Sequence, residues 1–174
     1  MFPTTYSPAS QKVIDIWCDG ACGTPSQRAN IGGWGAVIKT RGRERFRQVC
    51  DGEFNTTNQR MELVACVRAL EEISLGPGEE YGKKNSVQVN VYSDSAYLVD
   101  CINRGIYKRW ITNDWLNIRG EPVKHRDLWE RLIFFMDRYT ITFMKVPSHS
   151  GNINHDRADA LAQIAVNKYR RINR

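Results

Sequence analysis

Apolar residues alternate along Lys12 to Cys22 and fill both faces of the stretch, which is the pattern of a strand covered on each side in the middle of a sheet. Asp19 is followed by Gly20, so the pattern predicts that Asp19 lies at the carboxyl end of a central strand, with a loop from Gly20 to Asn30. Ligands bind at that edge of an open α/β sheet, because the loops that leave it form a crevice. An Asp-Gly pair is also a common turn, so Asp19 becomes a functional candidate only through its neighbours.

Four more segments have the period of a strand: Ile31 to Ile38, Glu44 to Phe54, Val87 to Asp94 and Thr140 to Val146. Short turns join the first strands of the chain, which predicts an antiparallel meander. The strand that ends in Asp94 follows a long helical crossover, so it can lie beside the first strand and parallel to it. Asp19 and Asp94 would then emerge side by side, and a divalent cation is the usual remedy for the repulsion between two such charges.

Helical spacing of apolar residues after Asn55 predicts the first helix, with Thr56 or Thr57 as its N-cap and an end at 76–78. An α-helix turns by about 100° per residue, which places Glu62 between Ala69 and Ile73, on the same side of the helix as the apolar residues. A carboxylate that faces the sheet must be paired or must bind a metal, because burial of an isolated charge is costly. Glu62 is therefore the second candidate.

Two helices are predicted in the last third of the chain. The first runs from His125 to Arg138. The second is capped by Asn152 or Asn154 and carries Asp156 and Asp159. Asp159 shares a helix flank with Ala162 and Val166, three and seven positions later, so it can face inward across the sheet edge.

Two groups of residues each have two interpretations. Trp110 and Trp115 lie in a basic, glycine-interrupted segment, and they can be core residues or contacts to a nucleic acid. Four arginines recur at period two before and within the third strand: Arg41, Arg43, Arg45 and Arg47. A nucleic-acid surface would use them, but a solvated edge strand that discourages pairing also explains them, and their hairpin lies at the sheet end opposite Asp19. The edge-strand interpretation is favoured.

The composition indicates one domain with a basic balance. The chain has 174 residues, 41% of them hydrophobic, and a net charge of +6, which makes a polyanionic partner plausible. It has 5 cysteines with no short-range pairing pattern, which argues against a disulfide scaffold and favours a reducing, cytoplasmic setting. The N-terminus shows no apolar signal sequence, and no run is long enough to span a membrane.

Four motifs, in order and approximate spacing, resemble the signatures of type 1 ribonuclease H: Asp19 to Cys22, Thr56 to Leu63, Tyr92 to Ser95, and Pro147 to Ala162. The resemblance extends over roughly Lys12 to Tyr169. It implies an α/β fold, the ribonuclease H-like fold, with a mixed five-stranded sheet in the order 3-2-1-4-5 and helices on both faces. The expected organisation is a flexible segment over 1–11, one catalytic domain over 12–169 and a basic tail over 170–174.

The resemblance implies an endonuclease that cuts the RNA strand of an RNA–DNA hybrid and leaves 5′-phosphate and 3′-hydroxyl ends. The family's four metal-binding carboxylates match Asp19, Glu62, Asp94 and Asp159, and its mobile loop histidine, which assists proton transfer or product departure, matches His149. The implied cofactor is a pair of Mg²⁺ ions bridged by Asp19, for which Mn²⁺ can substitute. No organic cofactor is expected.

Further residues match the family's contacts to the hybrid. Cys22, Asn58 and Gln59 match positions that read the wide minor groove and its 2′-hydroxyls. Thr57 matches part of a pocket for a DNA-strand phosphate, and His125 stands where that pocket usually has Asn. Trp110 and Trp115 match the substrate handle, although the basic run between them in relatives is replaced here. The chain also departs from the family in a longer loop over 23–30 and in Ser148, which replaces Gly before the histidine.

Two alternatives stay open from the sequence. Transposases and integrases use the same sheet and similar carboxylates on DNA, although the segments around Glu62 and His149 point away from them. A non-catalytic hybrid-binding module is the other, and the presence of all four acids disfavours it because, without metal, they would repel a nucleic-acid backbone. A monomer is the default expectation.

Overall fold

The computed structural model describes residues 12–23, 30–74, 87–148 and 151–172. The strands are β1 Val13–Cys22, β2 Ile31–Thr40, β3 Phe46–Phe54, β4 Gln88–Ser93 and β5 Thr140–Lys145. The helices are α1 Asn58–Ser74, α2 Ala96–Asn103, α3 Ile106–Thr112, α4 Arg126–Arg138 and α5 Ile153–Ile172. The five strands form one mixed sheet in the order β3-β2-β1-β4-β5, which confirms the predicted order. The predicted flexible segment over 1–11 lies outside the described residues.

Strand β1 is longer than the sequence pattern predicted. It continues past Asp19 to Cys22, because β2 pairs with it antiparallel as far as Cys22 opposite Gly32. The parallel pairing of β1 with β4 stops earlier, at Trp17 opposite Tyr92. The prediction that a loop begins at Gly20 is therefore wrong. Asp19 lies beyond the last residue of β1 that pairs with β4, so β1 is unpaired on that side at Asp19.

The alternation in β1 places apolar side chains on both faces, as predicted. Ile14, Ile16 and Cys18 belong to the main core, together with the inner residues of α1 and α4. Trp17 points to the opposite face, where it packs with Val37 and with Ala158 of α5. Helices therefore cover β1 from both sides, and residues from either layer can reach the edge of the sheet near Asp19.

The side chains that cap two helices decide between the predicted alternatives. Thr57 caps α1, because its Oγ1 accepts a hydrogen bond from the backbone N–H of Arg60 at 3.2 Å. Asn152 caps α5, because its Oδ1 accepts from the backbone N–H of Asn154 and of His155, each at 3.2 Å. Both caps lie close to predicted site residues, so they fix where α1 and α5 begin relative to the sheet edge.

The β2–β3 hairpin lies at the end of the sheet opposite Asp19, as predicted, since the backbone N–H of Arg41 donates to the carbonyl of Val13. Arg41 also binds Asp15, a buried carboxylate, through Nε to Oδ2 at 2.8 Å. Burial acts to raise the pKa of Asp15, but hydrogen bonds from Arg41 and Asn90 hold it below the ordinary value. Arg47 pairs with Glu72 on the exposed surface, at 2.7 Å. At least these two arginines therefore have structural partners.

Among the described residues, no helix is both long and apolar enough to cross a membrane.

Candidate active site at the sheet edge

The four predicted carboxylates line one pocket of about 150 Å³ at the edge of the sheet. They come from four different elements: Asp19 from β1, Glu62 from α1, Asp94 from the end of β4 and Asp159 from α5. The structure thus brings together acids from distant parts of the chain, since Asp19 and Asp159 are 140 positions apart in the sequence. Such a cluster of hard oxygen donors fits Mg²⁺ or Mn²⁺.

Gly20 allows β1 and α1 to approach closely enough for Glu62 to join Asp19. A Cβ atom at position 20 would lie 2.3 Å from the backbone nitrogen of Glu62 and 2.5 Å from the carbonyl carbon of Met61. Its backbone N–H also donates to Asp19 Oδ1 at 2.8 Å. The Asp-Gly pair is therefore part of a helix-to-strand contact instead of a turn.

Glu62 is held by two hydrogen bonds before any cation is considered. Asn58, one turn earlier in α1, donates its side-chain N–H to Oε1 at 2.8 Å. Ser95 donates its hydroxyl to Oε2 and also caps α2. Burial raises the pKa of Glu62, against the effect of these donors. The carboxylate is thus oriented toward the pocket by residues on both sides of it.

Asp94 is contacted from the opposite side of the pocket. The hydroxyl of Ser148 donates to Oδ2 at 2.5 Å, and the Nε2 atom of His155 lies 3.7 Å from Oδ1. His155 is the main reason that the pKa of Asp94 lies below its ordinary value, and the hydroxyl of Ser148 lowers it further. Burial acts in the opposite direction. Both contacts come from the chain after β5. Ser148, at which the sequence departs from the family, therefore touches a predicted metal ligand.

The sequence interpretation missed His155. This residue is buried in the first turn of α5 and lines the same pocket as the acids. Its position four residues before Asp159 places it one helical turn away on the same flank, and that spacing could have identified it. The histidine that was predicted, His149, lies outside the described residues, so its role stays a prediction.

The charge of Asp19 is unfavourable in the absence of a cation. Burial, followed by repulsion from Asp94, raises the pKa of Asp19 to about 7, and Asp159 adds to the shift. His155 and the N–H of Gly20 act in the opposite direction. A carboxylate with so high a pKa is stabilised either by a proton or by a nearby cation, so the pocket fits a divalent ion.

This shift predicts how the stability of the metal-free protein depends on pH. The folded-state pKa of Asp19 lies above the ordinary value of 3.8, so the folded state holds a proton that the unfolded state has lost between those values. The free energy of unfolding should therefore fall by about 2 kcal/mol as the pH rises from about 5 to about 8. Urea unfolding in chelator should show this decline in the natural chain, and Asp19→Asn should remove most of it. Parallel pH profiles for the two proteins would contradict the prediction.

The predicted substrate contacts divide between the acidic pocket and its surroundings. Asn58 lines the acidic pocket, whereas Gln59 lines a neighbouring pocket together with Arg119 and Lys124. The first residues of α1 thus lie between the two pockets. Cys22 lies at the end of β1 and is exposed as a residue. Partial burial of its thiol raises the pKa of Cys22, and the charge of Glu62 raises it further.

The other predicted contacts lie farther from the acids. Trp110 is buried, packs edge-to-face on Trp129 at a centroid distance of 5.1 Å, and still lines the second pocket. Trp115 is half-buried, and the guanidinium of Arg126 lies over its ring. Thr57 is exposed immediately before α1, which it caps. Burial, followed by the charge of Arg60, lowers the pKa of the half-buried His125. None of these side chains lines the acidic pocket as the structure describes it.

Comparison with known sequences gives a consistent result. The model of the RNase H family matches residues 11–167. A ribonuclease H of Chlorobaculum parvum is 39% identical over 157 residues, which cover 90% of this chain and 97% of that protein. A ribonuclease H of Moorella thermoacetica is 38% identical over 160 residues, which cover 92% of this chain and 95% of that protein.

Solved structures also share the fold. LC9-RNase H1, a type 1 RNase H with the type 2 active-site motif, superposes with a TM-score of 0.74 at 23% identity over 93% of this chain and 75% of that chain. LC11-RNase H1 in complex with an RNA/DNA hybrid superposes with a TM-score of 0.62 at 21% identity over 90% of this chain and 98% of that chain. At these identities the superpositions show the architecture of the sheet and helices.

Proposed function

The chain belongs to the RNase H family, and from this membership we propose that it is an endonuclease that hydrolyses the RNA strand of RNA–DNA hybrids. The proposed products carry 5′-phosphate and 3′-hydroxyl ends. The observation that carries the proposal is that Asp19, Glu62, Asp94 and Asp159 line one pocket at the sheet edge. Four acids in one pocket of a basic protein indicate cation-assisted chemistry on a polyanion.

The proposed cofactor is a pair of Mg²⁺ ions, for which Mn²⁺ can substitute. Asp19, Glu62, Asp94 and Asp159 would hold them, in agreement with the raised pKa of Asp19. When bound, the two ions would favour ionisation of the attacking water and offset the charge on the leaving 3′ oxygen. The protein's part is to orient these carboxylates, and Asn58, Ser95 and Ser148 do so through hydrogen bonds.

The chain's own residues account for hybrid binding in two regions. Asn58 and Gln59 begin α1 and face two adjacent pockets, so one nucleic-acid strand can contact both. Arg119 and Lys124 supply positive charge to the second pocket, which suits a phosphate backbone. Contacts of this kind ignore base identity, so little sequence preference is expected. Cys22, Thr57, Trp110, Trp115 and His125 complete the proposed substrate surface, and His149 is proposed to assist proton transfer or product departure.

The direct test is cleavage of end-labelled duplexes by the full chain in Mg²⁺. We expect cutting of the RNA strand in an RNA–DNA hybrid, no cutting of double-stranded DNA or double-stranded RNA of the same sequence, and loss of cutting in chelator. Product ends can be assigned by whether phosphatase treatment is needed before 5′ labelling. Binding of the hybrid without cutting, in Mg²⁺ and Mn²⁺ alike, would indicate a binding module. Cutting of duplex DNA would indicate a transposase-like nuclease.

A further inference from the structure

His155 has a buried nitrogen without a hydrogen-bond partner. Its side chain is 3% exposed, and no described residue forms a hydrogen bond with Nε2. A buried polar atom left in this state destabilises a protein by about 1–3 kcal/mol, and a bound ion or water is one partner that satisfies such an atom. The first turn of α5 therefore presents an unsatisfied ligand atom to the inside of the molecule.

That nitrogen points into the acidic pocket. Nε2 lies 3.7 Å from Oδ1 of Asp94, which is beyond hydrogen-bond distance. One ligand atom from each of Asp19, Asp94 and His155 can be chosen so that all three lie within 4.8 Å of one another. Three evenly spaced ligands of a common cation, at about 2.0–2.2 Å from it, lie about 3–3.8 Å from one another. The three atoms, which lie within 4.8 Å of one another, therefore need to move closer by at most about 1 Å to surround one ion.

We propose that His155 supplies an imidazole nitrogen to a divalent cation held by Asp19 and Asp94. This inference rests on the proposed function only in placing a cation in the acidic pocket. It adds a nitrogen donor to a ligand set in which the resemblance had assigned carboxylates alone. Glu62 and Asp159 are left to complete the coordination from α1 and from the next turn of α5.

The proposed nitrogen donor changes which ions the pocket prefers. Mg²⁺ strongly favours oxygen ligands, whereas imidazole suits Zn²⁺ and Ni²⁺, and Mn²⁺ accepts a single imidazole among oxygen ligands more readily than Mg²⁺ does. The site should therefore bind these transition ions by direct nitrogen coordination. A residue that merely adjusted the orientation of Asp94 would affect Mg²⁺ and Mn²⁺ in the same way.

The test is Mn²⁺ binding to the full chain without nucleic acid, at about pH 8. Pulsed electron paramagnetic resonance of bound Mn²⁺ should show coupling to a directly bound ¹⁴N nucleus. His155→Asn should abolish that coupling, and His149→Asn should retain it. Calorimetry should show Mn²⁺ binding weakened by about 10-fold or more in His155→Asn. Mg²⁺ binding should change by less than about 3-fold.

Two control variants separate ligation from charge and from packing. Asp156→Asn removes an acid that lines the pocket outside the three-atom group, so it should weaken Mn²⁺ and Mg²⁺ binding in the same proportion. Gln163→Ala alters an exposed residue later in α5 and should change neither. His155→Gln provides a second variant if His155→Asn does not fold.

Absence of ¹⁴N coupling in the natural chain would overturn the proposal, and so would coupling that persists in His155→Asn. Equal weakening of Mn²⁺ and Mg²⁺ binding would also overturn it, because His155 would then act through Asp94. None of these measurements needs hydrolysis. Failure to cleave the hybrid would count against the proposed function, whereas loss of the nitrogen signal would count only against the role of His155.

Discussion

Asp19→Asn is expected to reduce hydrolysis of the hybrid by at least about 1,000-fold in kcat/KM, equivalent to about 4 kcal/mol of transition-state stabilisation. The substitution keeps the shape of the side chain and removes the charge. Asp19 is the acid whose pKa is raised to about 7 by burial and by Asp94, so its ionised form depends most on a cation. An uncharged amide would leave the remaining carboxylates with a weaker hold on the ions.

The measurement is single-turnover cleavage of an end-labelled hybrid, with hybrid binding measured separately. Asp19→Asn should bind the hybrid at least as tightly as the natural chain, because one negative charge facing the phosphate backbone is lost. Asp137→Asn makes the same change at an exposed position in α4 and should cleave at the natural rate. Retention of more than about one tenth of the activity in Asp19→Asn would rule out a central role for this carboxylate.

Gly20→Ala is expected to have the largest effect on stability. The added Cβ would meet the backbone of α1, 2.3 Å from the nitrogen of Glu62 and 2.5 Å from the carbonyl carbon of Met61. Backbone atoms of a packed helix cannot move aside independently, so α1 must shift away from β1. The free energy of unfolding should fall by about 3 kcal/mol or more. Since Glu62 moves with α1, cleavage should fall by about 100-fold as well.

Urea unfolding and cleavage of the hybrid test the two effects together. Gly42→Ala is the matched control, because it lies in the β2–β3 turn, where nothing approaches within 4 Å of an added Cβ. The φ of Gly42 is 78°, which strains an alanine at this position. Gly42→Ala should therefore lower the free energy of unfolding by about 1 kcal/mol and leave cleavage unchanged. A Gly20→Ala protein with natural stability would show that the close contact of β1 with α1 is not required.

The sequence was sufficient for features that depend on local chemistry. Alternation in β1 predicted a strand buried on both faces, and helical spacing predicted that Glu62 faces inward. Side-chain period and capping act within a few residues, so they can be read from a short segment. The strand order and the four acids came from motifs in series, and the sheet order is confirmed. The acids do share one pocket, while their roles stay proposals.

Tertiary structure alone decided the features that depend on neighbours from distant parts of the chain. Strand β1 reaches Cys22 because β2 pairs with it there, and no pattern within β1 contains that information. Gly20 follows Asp19 as a turn residue would, but its role comes from α1, whose backbone leaves no room for a Cβ at this position. The environment of His155 is set by Asp94, which lies 61 positions earlier in the chain. Burial, charge repulsion and an unsatisfied nitrogen are properties of assembled neighbours, and those arise only when the sheet brings the segments together.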